Sequence, residues 1–210
     1  MAIQELFASN LTLGERVCIL GPGPNGRDYH HQIPVGFTVL ALNKAIFATG
    51  VAIDYWLINH THQEWFQEAD QYWKGSRIYR LEAAAPFLEN ATQAAPWFYY
   101  DPPPEKLDPA RPELIDQGVR HGGTIAATAL QIAWLLGAKE IWLCGIDMTG
   151  YGYWDGTLNH EHEQFHGEHW TAIPQIESLI QYLQDQKGVL IKSLSPTKLK
   201  VPMVDPDSSD

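Results

Sequence analysis

Residues Gly122–Gly152 read GGTIAATALQIAWLLGAKEIWLCGIDMTGYG, and the architecture of the chain follows from them. Behind Gly122, Gly123 and Thr124, the apolar residues Ile125, Ala129, Ile132, Ala133 and Leu136 recur at helical spacing, and Gly137 stands where a helix ends. This predicts a buried helix with a defined stop. Lys139 and Glu140 lead into Ile141-Trp142-Leu143-Cys144, an apolar run too short for a helix and typical of a parallel strand covered on both faces. The strand gives way to Gly145-Ile146-Asp147. In open α/β sheets the ligand crevice lies beyond the carboxyl ends of the strands, so a bound molecule is expected to touch Gly122, Gly123 and Thr124 and the residues from Asp147 to Tyr153.

Upstream, Arg16-Val17-Cys18-Ile19-Leu20 reads as a first strand, followed at once by Gly21-Pro22-Gly23-Pro24-Asn25-Gly26. The run matches GxGxxG, but a dinucleotide site also needs an acid at the end of the second strand to hold a ribose hydroxyl. That strand, 37–42, ends in Asn43-Lys44. A nucleotide-phosphate turn without NAD, contacting the ligand through Gly21, Gly23 and Asn25, is the functional reading, and a turn that uses Gly and Pro only for geometry is the structural one. A third strand, 53–58, delivers Asn59, His60 and His62 to the same sheet edge, and a helix capped by Thr61 runs on through Trp73. Asn43 and Asn59 each follow an apolar strand, and an amide offers both a donor and an acceptor to a base, ribose or phosphate. Capping of the following helices is the plain alternative.

Residues 76–81 form a fourth strand and 83–90 a short helix, after which 94–117 break into a proline-rich pattern that reads as an irregular connection or a lid over the crevice. The aromatic run Trp97-Phe98-Tyr99-Tyr100 suits the core or, less simply, stacking on a sugar or base. Thr171 is placed to cap the last helix, with Pro174 in its first turn, and 189–191 close the sheet. The expected fold is α/β, a Rossmann-like, mostly parallel sheet with helices on both faces, in one domain over 1–204 with a possible lid at 94–120. A disordered acidic tail is expected at 205–210.

At 210 residues with 45% hydrophobic side chains the chain can bury one sizeable core. A formal net charge of -11 excludes a general nucleic-acid or anionic-membrane surface, since phosphate contacts need clustered Lys and Arg. No run reaches membrane-spanning length, and the amino terminus has neither a basic n-region nor an uninterrupted apolar h-region. Cys18 and Cys144 fall inside apolar strands and read as reduced core residues of a cytoplasmic protein.

Between Tyr151 and Trp170 the chain concentrates His160, His162, His166 and His169. His162-Glu163-Gln164-Phe165-His166 fits HExxH, yet Gly156 and Gly167 bracket it too closely for the long helix that zinc hydrolases use. The other readings are a solvated loop and a general base, since a histidine at the start of the last helix can take a proton from a hydroxyl nucleophile at neutral pH.

Taken together, GPGPNG after the first strand, Asn43 after the second, Asn59 after the third, the stretch from Gly122 to Asp147 and a His before the final helix resemble bacterial sialyltransferases of glycosyltransferase family 42. They also resemble a related domain of unknown function that includes archaeal hydroxymethylpterin pyrophosphokinases and flagellin-modifying glycosyltransferases. The resemblance implies a CMP-activated sugar lying across the strand ends, a glycan acceptor and no required metal or other cofactor. By the same resemblance Asn43 and Asn59 match nucleotide and phosphate contacts, Tyr151 or Tyr153 a leaving-group tyrosine, and His169 or His166 the base. The family's first motif usually reads Gly-Asn-Gly-Pro-Ser, where this chain has Pro22 for the Asn and Asn25 for the Ser. The expected activity is inverting transfer from a nucleotide-activated sugar. A phosphotransferase with magnesium on Asp147 and Asp155 and a silent nucleotide or sugar binder are the rivals.

Overall fold

The computed structural model describes residues 3–59, 63–80, 97–102, 105–149, 152–154 and 168–204. The predicted helix over 83–90, Thr61, His60, His62, Tyr151, Asp155, the histidines at 160, 162 and 166, and the 205–210 tail lie outside the described residues. So does the side chain of His169, whose backbone is described.

The strands are β1 (Ile3–Glu5), β2 (Arg16–Leu20), β3 (Thr38–Leu42), β4 (Tyr55–Ile58), β5 (Ser76–Arg80), β6 (Trp97–Tyr100), β7 (Glu140–Cys144) and β8 (Leu190–Ser193). They form one sheet in the order β1-β6-β5-β4-β3-β2-β7-β8, and every pairing is parallel. The fold is therefore α/β and Rossmann-like. Parallel strands are buried on both faces, which is why Val17–Leu20 and Val39–Leu42 are uninterrupted apolar runs at 3% exposure or less. The chain builds outward from β2 through β3, β4, β5 and β6, then returns to the other side of β2 as β7. That reversal opens a crevice between the carboxyl ends of β2 and β7.

Four helices are described: α1 (Gly26–Tyr29), α2 (Gln63–Ala69), α3 (Ile125–Leu135) and α4 (Glu168–Lys187). Thr124 caps α3, its Oγ1 accepting from the Ala127 N–H at 3.4 Å. At the other end Gly137 adopts φ +104, with its N–H on the Trp134 carbonyl and the Ala138 N–H on the Ala133 carbonyl. This is the paired-bond Schellman stop that a left-handed residue permits. α3 is buried nearly all round, from Ala126 to Ala133, because the sheet lies on one side of it and α4 and the 105–120 segment on the others.

The readings of β6, α2 and α4 are corrected. Trp97–Tyr100 is not part of an irregular connection but strand β6, paired on both sides, with Phe98 and Tyr100 buried. Its outer partner β1 has no counterpart in the sequence reading, since three residues carry no periodicity. The 105–120 segment packs Leu107, Ile115 and Val119 into the core. It is also tied to α3 by Gln131, whose Oε1 accepts from the Arg120 N–H at 2.6 Å and whose Nε2 donates to the Arg120 carbonyl at 2.9 Å. α4 starts at Glu168, so Thr171 is inside it rather than capping it, and Pro174 is an interior proline. α2 ends at Ala69, and Trp73 instead packs back on the sheet with Nε1 donating to the Ile53 carbonyl at 3.2 Å.

Candidate active site

The loop after β2 and the loop after β7 are pressed together, and their glycines are what permits it. A Cβ on Gly21 would lie 2.5 Å from the Gly145 carbonyl oxygen, and one on Gly23 would lie 2.5 Å from that oxygen and 2.8 Å from the Asp147 carboxylate. Gly145 itself sits at φ +67, with its own missing side chain aimed at the Gly21 oxygen. The space at Gly23 is thus occupied by the protein's own loop, so a side chain there would meet protein before any phosphate. The seam is closed by hydrogen bonds from the Gly21 N–H to the Cys144 carbonyl (2.7 Å) and from the Gly23 N–H to the Gly145 carbonyl (2.9 Å). Ser195 adds a third, its Oγ accepting from the Gly145 N–H at 2.8 Å.

Asp147 stands at the centre. It is 3% exposed, its Oδ2 accepts from the Asn25 N–H at 2.7 Å, and its Oδ1 has no hydrogen-bond partner among the described residues. Burial raises its carboxyl to about 6, against the opposing pull of the Asn25 N–H. Asn25 holds the opposite wall as well, Nδ2 donating to the Pro196 carbonyl at 2.9 Å.

Over this seam lies a cleft of about 140 Å³, whose lining includes Pro22, Gly23, Thr124, Asp147, Met148 and Tyr153. Thr124 brings the amino end of α3 to the cleft, where unpaired backbone N–H groups favour an anion. Tyr153 carries the Lys44 ammonium over its ring at 4.9 Å, setting a cation beside the cleft. Leu42 also lines it, and Asn43 follows with φ +47, its backbone oxygen taken by Trp56 Nε1 at 2.8 Å and its Oδ1 buried with no hydrogen-bond partner among the described residues. It is the first residue of the 3-10 turn Asn43–Phe47, whose cap position is Leu42, not Asn43.

Among the sequence candidates, the structure brings Gly23, Thr124, Asp147 and Tyr153 into one cleft, with Gly21 and Asn25 beneath it and Asn43 beside it. Asn59 does not line the cleft; its Oδ1 accepts the buried Tyr100 hydroxyl. Gly122 packs on Ala127 and Leu107, and Gly123 (φ +77) on Ala172 of α4. The contact with Ala172 sets the first turn of α4, which holds the His169 backbone, beside the amino end of α3. Tyr151 and His166 lie outside the described residues. Met148, a non-glycine at φ +55, falls within the 147–153 stretch that the sequence placed at the crevice, whereas sequence reasoning missed Lys44, whose approach to Tyr153 depends on loops far apart in the chain. Cys18 and Cys144 are buried free thiols raised well above their ordinary range, Cys144 to about 12, which makes them poor nucleophiles.

No protein-family model matches the sequence, and no curated protein matches it. Solved structures do. The sialyltransferase CstII from Campylobacter jejuni, in complex with the substrate analogue CMP-3FNeuAc, superposes with a TM-score of 0.58 at 16% identity, over 94% of this chain and 89% of that one. The fold is that of the sialyltransferases. The α-2,3-sialyltransferase Cst-I from the same organism gives a TM-score of 0.59 at 15% identity, covering 95% of this chain and 85% of its own. A Maf glycosyltransferase from Magnetospirillum magneticum gives 0.59 at 12% identity, with 95% of this chain matching 35% of that longer one. These proteins fall in the groups that the sequence motifs resemble. Among the described residues no helix is long and apolar enough to cross a membrane, and no three His, Cys, Asp or Glu side chains come together as a metal site.

Proposed function

We propose that the chain is an inverting, metal-independent glycosyltransferase that moves a sugar from a cytidine-type nucleotide donor to an acceptor hydroxyl. The observation that carries this reading is the cleft at the reversal between β2 and β7, in a fold whose CstII structures are described with CMP and with CMP-3FNeuAc. The donor phosphate lies toward the amino end of α3 at Thr124, with Lys44 and the Tyr153 hydroxyl receiving the charge that grows as the sugar–phosphate bond breaks. The Asn43 Oδ1 is a buried acceptor in want of a donor, a role that a cytosine amino group or a ribose hydroxyl fills. His169, or His166 upstream of it, takes the acceptor's proton as the new glycosidic bond forms.

One observation favours a second reading: the unpartnered Asp147 Oδ1 in the cleft is a carboxylate oxygen of the kind magnesium binds in phosphotransferases. Thermal shift against CMP, CDP, UDP, GDP and ATP, each with magnesium and with EDTA, separates the two, because a ligand specific for the folded state raises its melting temperature by mass action. CMP and CDP are expected to raise it equally in both buffers. A shift by ATP with magnesium alone would replace glycosyl transfer with phosphoryl transfer.

A further inference from the structure

A second cavity, of about 260 Å³, opens beside the first and is lined by Arg27, His30, Phe47, Ala48, Thr49 and Trp154. Its volume is large against the roughly 10–15 Å³ that one water needs. The two cavities share their supports. The loop after β2 supplies Pro22 and Gly23 to the cleft and continues to Arg27, while Tyr153 lines the cleft and its neighbour Trp154 lines the second cavity. The Trp154 N–H holds the two segments together by donating to the Pro22 carbonyl at 3.0 Å. They lie toward opposite faces of the sheet, since Ile125, Ala126 and Met148 of the cleft pack with the α3 core, and Ala48 and Trp154 pack with Cys18, Leu20 and Cys144.

The chemistry of the second cavity is unlike that of the rest of the surface. Among the described residues that line it, Arg27 alone carries a permanent charge and none is a carboxylate, although the chain carries a formal net charge of -11. Arg16, Arg77, Arg111 and Arg120 each pair with a carboxylate. The exposed Arg27 guanidinium makes no ion pair or side-chain hydrogen bond among the described residues. The two ring nitrogens of His30 face the Gly26 carbonyl at 3.0 Å and the Thr49 carbonyl at 2.9 Å, one of them donating in either tautomer, so the ring is a fixed wall rather than a ligand contact. Phe47 and Trp154 add aromatic surface that can lie against the C–H face of a pyranose ring. A guanidinium presents a planar fork matched to a carboxylate.

The geometry points to this cavity as a subsite for a carboxylate-bearing sugar unit, the anionic end of the acceptor glycan. The assignment rests on the glycosyl-transfer reading for its word acceptor, and on the cavity alone for its ligand. The test is saturation-transfer NMR with titration of the methyl glycosides of glucuronate, galacturonate and N-acetylneuraminate, each beside its neutral, carboxyl-reduced counterpart. The proteins are the wild type, Arg27→Gln and Arg27→Lys, with CMP titrated in parallel. At least one acidic glycoside is expected to bind wild type about tenfold or more tightly than its neutral counterpart. That preference is expected to vanish in Arg27→Gln, to return only in part in Arg27→Lys, and to weaken with salt, while CMP affinity stays unchanged. Equal binding of acidic and neutral glycosides, no binding of any, or a preference that survives Arg27→Gln would overturn the assignment. Full competition by inorganic phosphate at equal concentration would reduce it to a general anion site and overturn the sugar. If CMP fails to bind while an acidic glycoside does, the donor reading falls and the subsite stands.

Discussion

Asp147 shows how one side chain can couple the cleft to the stability of the fold. Its ordinary value is 3.8 and the buried carboxyl is raised to about 6, so on raising the pH the unfolded chain ionises first. Between these values the unfolded state holds fewer protons than the folded one, and stability falls as pH rises from about 4 through about 6, then levels off. A shift of about two units corresponds to at most about 3 kcal/mol. Asp147→Asn keeps an acceptor for the Asn25 N–H and removes the charge. In urea unfolding followed from pH 4.5 to 7.5, the variant is expected to gain on wild type by about 1–3 kcal/mol across that window. Parallel pH profiles for the two proteins would place the ionisation elsewhere. The place of Asp147 at the crevice was legible from its position after an apolar strand. Its burial against Asn25, 122 residues away in sequence, was not.

At the scale of elements, α3 was readable to within one residue, because the signals for it are local: a Gly-Gly-Thr start, an apolar period and a glycine stop. α4 was not. Local rules put its start at Thr171 with Pro174 in the first turn, whereas the helix runs from Glu168 and takes the exposed proline into its second turn. Proline there lacks the N–H that would bond the Trp170 carbonyl, a loss approaching about 3 kcal/mol in a helix interior and smaller near an end. Pro174→Ala is therefore expected to raise stability by about 1 kcal/mol or more, read from the midpoint of thermal or urea unfolding. A neutral result would mean that the turn before Thr171 contributes nothing to the folded state, as the local rules imply. The aromatic strand β6 escaped for the opposite reason. The prolines that follow it argue against a strand, but they begin only after Tyr100, where pairing has already ended.

For the whole molecule, the sheet order sets where stability resides. β2 is hydrogen-bonded to β3 and β7 along its length and buried on both faces, while β1 pairs only with β6. Native-state hydrogen exchange is expected to show the amides of Val17–Leu20 opening only with global unfolding, and those of Gln4 and Glu5 exchanging at least about a hundredfold faster. Equal protection would mean that β1 is part of the cooperative core. The same order puts the cleft between the central strands β2 and β7, each hydrogen-bonded on both sides.

The sequence by itself determined the class of fold, the place of the crevice and most of the loops that form it, because apolar runs, glycine turns and helix ends are written in neighbouring residues. It also carried the resemblance to the sialyltransferases, whose fold the chain shares. Only the tertiary structure decided which residues meet: Asn25 with Asp147, Lys44 with Tyr153, Asn59 with Tyr100, and Gly23 with Gly145 rather than with open space. It alone showed Arg27 lining a cavity that has no carboxylate among its described lining residues. Each of these joins segments that separate strands bring to one edge, and the chain records no local trace of a neighbour reached only after the sheet has formed.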